Sequence, residues 1–145
     1  MADFKPRDPD YERRVRESFA RQRAMVTLGM RLLRVEPGEV EIALDFDEAL
    51  TQQHGYVHAG VVAAAADTAC GYAALTLTDA GSEVLSVEFK LNLLSPAAGE
   101  SFAARARVVR AGRNISVCAG DVFALKGGAE KLVATMLATM MRVGA

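Results

Sequence analysis

The stretch that decides the fold is residues 58–77, which read HAGVVAAAADTACGYAALTL. From Val61 to Leu77 it is rich in alanine, the best helix former, so it predicts one helix. Because this helix is apolar on nearly every side, we expect it to be central and buried. It is shorter than a membrane span and carries Asp67 near its middle, which argues against a transmembrane segment. Asp67 is its only acidic or basic residue, so it needs either a structural hydrogen-bond partner or a functional role.

Segments with period-two alternation lie on both sides of this helix and predict β-strands. Two precede it, Met30–Val35 and Val40–Phe46, and they form a hairpin across the turn at 36–39. Four follow it and are expected to form a meander: Leu85–Leu93, Phe102–Arg110, Ile115–Leu125 and Leu132–Val143. This order predicts an α+β fold in which an antiparallel sheet wraps around the long central helix.

The first part of the chain is polar and predicts a surface helix from about Pro9 to Met25. Tyr11, Val15 and Phe19 recur every four residues, so one stripe of this helix packs on the body of the protein. We therefore divide the chain into an N-terminal helical segment, residues 1–27, and a single domain, residues 28–145.

Composition excludes several classes of function. The 145 residues are 51% hydrophobic and carry 17 basic against 18 acidic side chains, a net charge of -1. That balance argues against broad nucleic-acid binding, which needs a basic surface. No signal-peptide pattern or membrane span is visible, and the two cysteines are far apart, which favours a cytoplasmic protein with reduced thiols. With two histidines and no Cys/His cluster, no metal and no cofactor are expected.

The loop that leads into the central helix carries polar groups that suit catalysis. Gln52, His54, His58, Ala59 and Gly60 lie at or just before the helix start, where unpaired N–H groups can stabilise an oxyanion. For His54 a cap or packing role is favoured, whereas for His58 a cap and a catalytic role stay equally open. Gly60 and Asp67 share a helix face but lie roughly 10 Å apart, so one site using both ends needs two chains related by a twofold axis.

Residues 52–67, QQHGYVHAGVVAAAAD, resemble the signature of hotdog-fold acyl-CoA thioesterases of the PaaI-like family. In that family N-x-x-G-x-x-H-G-G precedes an aspartate in the central helix. The run SVEFKLNLLSP from Ser86 is similar to the family's next strand. The resemblance implies a hotdog fold, hydrolysis of an acyl-CoA to free acid and coenzyme A, a homodimer that completes the site, and a tetramer built as a dimer of dimers.

The resemblance also implies roles for individual residues. Asp67 matches the carboxylate that acts as general base or nucleophile, and Ser86 the hydroxyl that positions water. Ala59 matches the first glycine of H-G-G, whose N–H polarises the thioester carbonyl beside Gly60, and His58 precedes it. Gln52 matches the loop Asn/Gln that faces the acyl group. Ala59 in place of glycine and Gln52 in place of Asn are departures from the pattern that affect substrate choice.

The anionic part of coenzyme A is expected at two places. Arg110, Gly112, Arg113 and Asn114 form a strand-to-strand turn where arginine can pair with phosphate. Lys90 and Asn92 are polar positions of a strand and carry the same expectation. A solvated turn or strand face is the alternative for each of these residues.

The acyl group is not determined by the sequence. Tyr72, Leu75 and Phe89 are expected to line its pocket, which would suit aryl or medium-chain groups, while Cys70 is interpreted as a core residue. Two other functions stay open, a hotdog hydratase or dehydratase that uses His58, and a module that binds acyl-CoA without turning it over.

Overall fold

The computed structural model describes residues 3–144 and contains one six-stranded antiparallel sheet and three α-helices. The helices are α1 (Tyr11–Arg21), α2 (Arg23–Leu28) and α3 (Ala59–Leu75). The strands are β1 (Met30–Glu36), β2 (Glu39–Asp45), β3 (Ser82–Leu93), β4 (Ser101–Ala111), β5 (Ile115–Lys126) and β6 (Ala129–Gly144). The predicted α+β class, with a sheet around a central helix, is confirmed. The division of the chain at residues 27 and 28 stays a prediction.

Helix α3 packs on one face of the sheet and contacts all six strands. The buried residues of the inner sheet face alternate along β4, β5 and β6, as period-two patterning requires. The approach is close at Gly120 of β5, where an added Cβ would lie 2.9 Å from the Cys70 Sγ. The alanine-rich surface of α3 and a glycine on the strand together permit this packing distance.

The strand order corrects the predicted meander of four strands. The sheet runs β1-β2-β4-β5-β6-β3, so only β4, β5 and β6 follow one another as neighbours. Strand β3 pairs with β6 at the edge of the sheet, while β4 pairs with β2. The reason is topological: α3 crosses the sheet between β2 and β3, and the chain therefore re-enters at the opposite edge. The predicted β1–β2 hairpin is confirmed.

The N-terminal helix is two helices rather than the single helix predicted over residues 9–25. Gln22 has an extended backbone (φ -77°, ψ 100°), which separates α1 from α2. Its side-chain Nε2 donates to the hydroxyl of Tyr72 at 2.8 Å, so the break is held against α3. The predicted inward stripe is confirmed, since Val15 is fully buried and Tyr11 and Phe19 pack against the core.

Helix α3 differs from its prediction in position and in burial. It begins at Ala59 and ends at Leu75, two residues earlier than expected at each end. It is not buried all round, because one stripe stays partly accessible in the single chain. That stripe follows the helical spacing of small and polar residues: Gly60, Ala63, Ala64, Asp67, Thr68 and Gly71. No helix among the described residues is long and apolar enough to cross a membrane.

Arg14 of α1 caps the carboxyl end of α3. Its guanidinium donates to the carbonyl oxygens of Leu75 and Thr78 at 3.2 and 3.0 Å and to that of Asp79 at 2.7 Å. Its Nε lies 3.2 Å from a carboxylate oxygen of Asp8, which is itself 8% exposed. The last carbonyls of a helix lack internal partners, so one side chain satisfies several of them.

Replacing Arg14 by alanine should lower the free energy of unfolding by about 2–4 kcal/mol, because it leaves the buried Asp8 carboxylate without its cation and removes the hydrogen bonds to the carbonyls of Leu75, Thr78 and Asp79. Urea denaturation followed by circular dichroism measures this change. Arg16→Ala is the matched control on the same helix, since its ion pair with Glu12 is exposed and contributes at most about 0.5 kcal/mol. Equal midpoints for the two variants would contradict the capping role.

Candidate active site

The start of α3 presents one free backbone donor. His58 is the N-cap, and its Nδ1 accepts a hydrogen bond from the N–H of Gly60 at 2.8 Å. The N–H of Val61 is bound to the His58 carbonyl at 2.9 Å. Among the described residues nothing accepts from the N–H of Ala59, the first residue of the helix. This corrects the expectation for Gly60: its N–H is occupied by the cap, and Ala59 alone offers an oxyanion donor there.

The loop before α3 is more ordered than its polar sequence indicates. It contains a 3-10 turn at Glu48–Leu50 and a bridge between Thr51 and Val57. The side-chain oxygen of Gln52 accepts from the N–H of His54 at 2.5 Å, so it is folded back onto the loop. The amide nitrogen of Gln52 donates no hydrogen bond within residues 3–144.

A cavity of about 520 Å³ opens beside this helix start. Gln52, His58 and Ala59 line one side of it. The remainder is mostly apolar and comes from the loop, α3, the end of β3 and β6: Tyr56, Val57, Val62, Leu93, Leu94, Pro96, Ala97 and Val133. We call it the helix-start cavity, and it combines a few polar groups with an apolar wall, as ligand pockets commonly do.

Asp67 meets Ser86 across the gap between α3 and β3. The Ser86 hydroxyl donates to the Asp67 carboxylate at 2.7 Å and also lies 3.4 Å from the sulfur of Met140. Both residues were predicted as site residues from separate parts of the sequence, and the fold brings them together. Asp67 is partly accessible rather than buried as expected, because it lies on the open stripe of α3.

A β-bulge at Val87 aims Ser86 at the helix. The register of β3 against β6 shifts between Ser86 and Glu88, so Val87 has no partner. Ser86 lies opposite the buried Met140, and Phe89 lies opposite the buried Ala138. Simple alternation would put these two positions on opposite faces of the sheet, but the extra residue puts both on the inner face. The sequence prediction that residues 85, 87, 89, 91 and 93 share one face is therefore wrong.

The same bulge separates Lys90 and Asn92 from Asp67. They lie opposite Leu137 and Thr135, on the outer face of the sheet. Asp67 is on the inner side, so the structure does not bring these two residues to the carboxylate.

The Asp67 cavity has a volume of about 220 Å³ and is largely polar. Besides Asp67 and Ser86 it is lined by Ser18, Gln22, Thr68, Gly71, Tyr72, Leu75, Glu83 and Val84. The Tyr72 hydroxyl is held by Ser18 at 3.1 Å and by Gln22 at 2.8 Å. Tyr72 and Leu75 were predicted to line the acyl pocket and line this cavity, while Phe89 lines none of the three cavities described. Sequence reasoning missed Ser18 and Gln22 because α1 carries no motif that points to α3.

The two cavities share no lining residue within one chain. Ala59 and Asp67 are separated by about 12 Å along the axis of α3, given a rise of 1.5 Å per residue. One thioester carbonyl cannot reach both groups of a single chain. The helix-start cavity and the Asp67 cavity of one chain therefore belong to separate sites. Each could instead form one site together with the other cavity of a second chain.

A third cavity of about 230 Å³ is lined by four cationic side chains. Gly112, Arg113 and Asn114 of the β4–β5 turn line it, as predicted for the anionic end of the ligand, but Arg110 does not. Lys5, Arg7 and Arg142 complete the set of cations. We call it the cationic cavity. No local pattern in the sequence predicts that these three residues line a cavity, because they come from the two ends of the chain.

Neither cysteine is suited to nucleophilic chemistry. Both are fully buried, and burial raises the pKa of the Cys70 thiol far above its usual range and that of Cys118 to about 12. The thiols therefore stay protonated at neutral pH, and the interpretation of Cys70 as a core residue is confirmed. Within residues 3–144 no group of three His, Cys, Asp or Glu side chains is placed to hold a metal ion.

Comparison with known proteins gives consistent matches. A sequence profile of the thioesterase superfamily matches residues 54–131, which is more than half of the chain. A candidate esterase from Saccharolobus solfataricus is 31% identical over 62% of this chain, and the match spans 64% of its own length, slightly less than two thirds.

Solved structures extend the likeness to nearly the whole chain. A thioesterase family protein from Silicibacter pomeroyi is 50% identical, with a TM-score of 0.92 and coverage of 93% of this chain and 99% of its own. The PaaI protein of E. coli, from its phenylacetic acid degradation operon, shares the fold with a TM-score of 0.84 at 20% identity, covering 94% and 95% of the two chains. The resemblance predicted from residues 52–67 is confirmed.

Proposed function

The chain belongs to the thioesterase superfamily, and from this premise we propose that it hydrolyses an acyl-CoA thioester to a free carboxylic acid and coenzyme A. The observation that carries the proposal is the hydrogen bond of 2.7 Å between Ser86 of β3 and Asp67 of α3. The first N–H of the same helix, at Ala59, has no acceptor among the described residues. Carboxylate, hydroxyl and free N–H are the groups that thioester hydrolysis needs.

In the proposed reaction the thioester carbonyl oxygen accepts the N–H of Ala59. Water bound beside the hydrogen-bonded Ser86 hydroxyl and Asp67 carboxylate attacks the carbonyl carbon, and its proton passes to the carboxylate. The negative charge that forms on the oxygen is stabilised by the free donor and by the positive end of the helix dipole. The carbon–sulfur bond then breaks, and the proton moves from Asp67 to the leaving thiolate. In the alternative with Asp67 as nucleophile, the carboxylate attacks the carbonyl carbon and the carbon–sulfur bond breaks to release the coenzyme A thiolate; water then hydrolyses the mixed anhydride to the free acid, regenerates the carboxylate and supplies the proton taken up by the thiolate.

The site is completed by a second copy of the chain. Within residues 3–144 no strand pairs with the outer side of β3, and Leu85, Val87, Phe89 and Leu93 on it are between 45% and 60% exposed. An unpaired strand edge with exposed apolar side chains is a pairing surface. The accessible stripe of α3 borders it and is made of small residues, which allow two helices to approach closely.

The positions of the two half-sites along β3 suggest the pairing. Ser86 marks the Asp67 cavity and Leu93 the helix-start cavity. An antiparallel twofold pairing centred on Lys90, with the bulge residue Val87 left unpaired, would put Ser86 of each chain opposite Leu93 of its partner. Each Asp67 would then face the Ala59 N–H of the other chain, giving two equal sites. Association of two such dimers into a tetramer stays a prediction.

The remaining cavities fit the two ends of an acyl-CoA. The apolar wall of the helix-start cavity suits an aryl or medium-chain acyl group, with the amide nitrogen of Gln52 at its mouth. The cationic cavity, lined by Arg113, Asn114 and Gly112, suits the phosphates of coenzyme A. Val84 lines both the cationic cavity and the Asp67 cavity, so a ligand that passes this residue connects them.

Replacing Asp67 by asparagine should lower kcat about 10²–10⁴-fold with the fold unchanged, because the amide cannot take a proton from water. Release of free thiol from aryl, short, medium and long acyl-CoAs measures the rate. Asp121→Asn is the matched control, since Asp121 also accepts a hydroxyl, that of Thr135 at 2.7 Å, on the outer sheet face.

An unchanged kcat in the Asp67 variant would remove this carboxylate from the mechanism. If the wild-type protein binds acyl-CoA without releasing thiol, it is a binding module. Hydration of an enoyl-CoA that is lost in a His58 variant would instead make it a hydratase.

Ala59→Pro removes the proposed donor and little else. Proline has no N–H and is well tolerated at the first residue of a helix. The preceding His58 already has the extended backbone (φ -59°, ψ 139°) that proline requires before it. We expect kcat to fall about 10²–10³-fold. Ala59→Gly keeps the N–H and should retain the rate; equal losses in both variants would contradict the role of the donor.

Mixing the Asp67→Asn and Ala59→Pro proteins tests whether two chains share each site. Random exchange makes half of the dimers mixed, and each mixed dimer has one intact site, so about one quarter of the wild-type activity should return. Native mass spectrometry confirms that the chains have exchanged. Exchange without recovery of activity would show that Asp67 and Ala59 do not act across the dimer.

A further inference from the structure

We propose that the N-terminal segment, residues 4–7, forms one wall of the binding site for the phosphorylated nucleotide of coenzyme A, and thereby selects CoA thioesters over thioesters that lack a nucleotide. This inference rests on the proposed function. It concerns residues that lie outside the part of the chain matched by the superfamily profile.

The segment is held in place by contacts on both sides of its cations. The Phe4 ring covers Gly38 in the β1–β2 turn, where an added Cβ would lie 2.6 Å from the ring. Arg7 lies 3.4 Å from the Asp79 carboxylate, and Asp8 follows in its ion pair with Arg14. Residues 4–7 are thus anchored at both ends against the body of the domain.

Anchored in this way, the segment presents positive charge to the cationic cavity. Lys5 and Arg7 line the cavity together with Arg113 and Arg142, and no aspartate or glutamate among the described residues belongs to its lining. Asp79 offsets part of the charge of Arg7 from outside. Lys5 makes no hydrogen bond or ion pair within residues 3–144, so its ammonium group is available to a ligand.

The other lining groups describe the rest of the ligand. Phe4, Val84 and Met140 give the cavity an apolar surface, and Asn114 and Ser116 add neutral hydrogen-bonding groups. Several cations beside an aromatic ring suit a molecule that joins phosphates to a planar base. A free inorganic anion would use the cations and leave the apolar surface empty.

The cavity also lies within reach of the reacting groups. The sulfur of Met140 is 3.4 Å from the Ser86 hydroxyl, and Val84 is two residues before Ser86 on the same strand. One molecule can therefore place its thioester at Asp67 and its nucleotide beside Lys5. A substrate that carries only the pantetheine arm leaves Lys5 without a partner.

The test compares the same acyl group on CoA, on dephospho-CoA and on pantetheine. For Lys5→Ala, the ratio of kcat/KM for acyl-CoA to that for acyl-pantetheine should fall about fivefold through KM, the value of one exposed charge contact. Lys5→Arg should restore the ratio. Lys126→Ala, at the exposed end of β5, is the matched control and should leave it unchanged.

The outcomes separate this inference from the proposed function. If Lys5→Ala lowers kcat/KM equally for all three thioesters, or for none, the N-terminal segment does not bind the nucleotide and the inference is wrong. If the wild-type protein releases thiol from none of them, the proposed hydrolysis itself fails. A fall for acyl-CoA alone points to the 3'-phosphate, and equal falls for acyl-CoA and acyl-dephospho-CoA point to the pyrophosphate; both support the inference.

Discussion

The proposed site depends on one constraint. The free N–H and the carboxylate lie on one rigid helix, too far apart to act on the same thioester. The free N–H is at the first residue of α3, and the carboxylate is two turns further along. A helix cannot bend to bring them together without losing backbone hydrogen bonds. The hydrolysis proposed for this site therefore needs groups from two chains, and the exposed edge of β3 and the small-residue stripe of α3 are the surfaces proposed to bring the chains together.

The sequence carried the local parts of this architecture well. Alanine content and the absence of proline indicate α3, although Gly71 lies within it, and alternation indicates the strands, because both signals depend on neighbours a few residues apart. The identity of Asp67 as an exceptional residue followed from the same local pattern. The resemblance in residues 52–67 adds the loop, and the similar run from Ser86 adds this serine, which lies 19 residues from Asp67 in the chain yet is hydrogen-bonded to it.

What the sequence could not supply depends on long-range geometry. The placement of β3 at the sheet edge follows from where α3 returns the chain, and no local pattern encodes that. The bulge at Val87 leaves apolar residues at 85, 87 and 89, so the pattern looks continuous although the strand changes face. Lys5, Arg7 and Arg142 are distant in sequence from Arg113 of the β4–β5 turn, and only the fold brings these cations to one cavity.

The bulge divides β3 into two parts in which the alternation of side chains between the two sheet faces is shifted by one residue. Upstream of Val87, odd-numbered side chains point outward, and downstream they point to the helix. Deleting the unpaired residue would move the side chains on one side of the bulge from the inner to the outer face of the sheet, and the reverse. Substitutions that keep the backbone length would leave these faces unchanged. The number of residues in this strand is therefore under tighter constraint than the identity of the side chain at Val87. The Ser86 hydroxyl faces the Asp67 carboxylate because one extra residue is present in the strand.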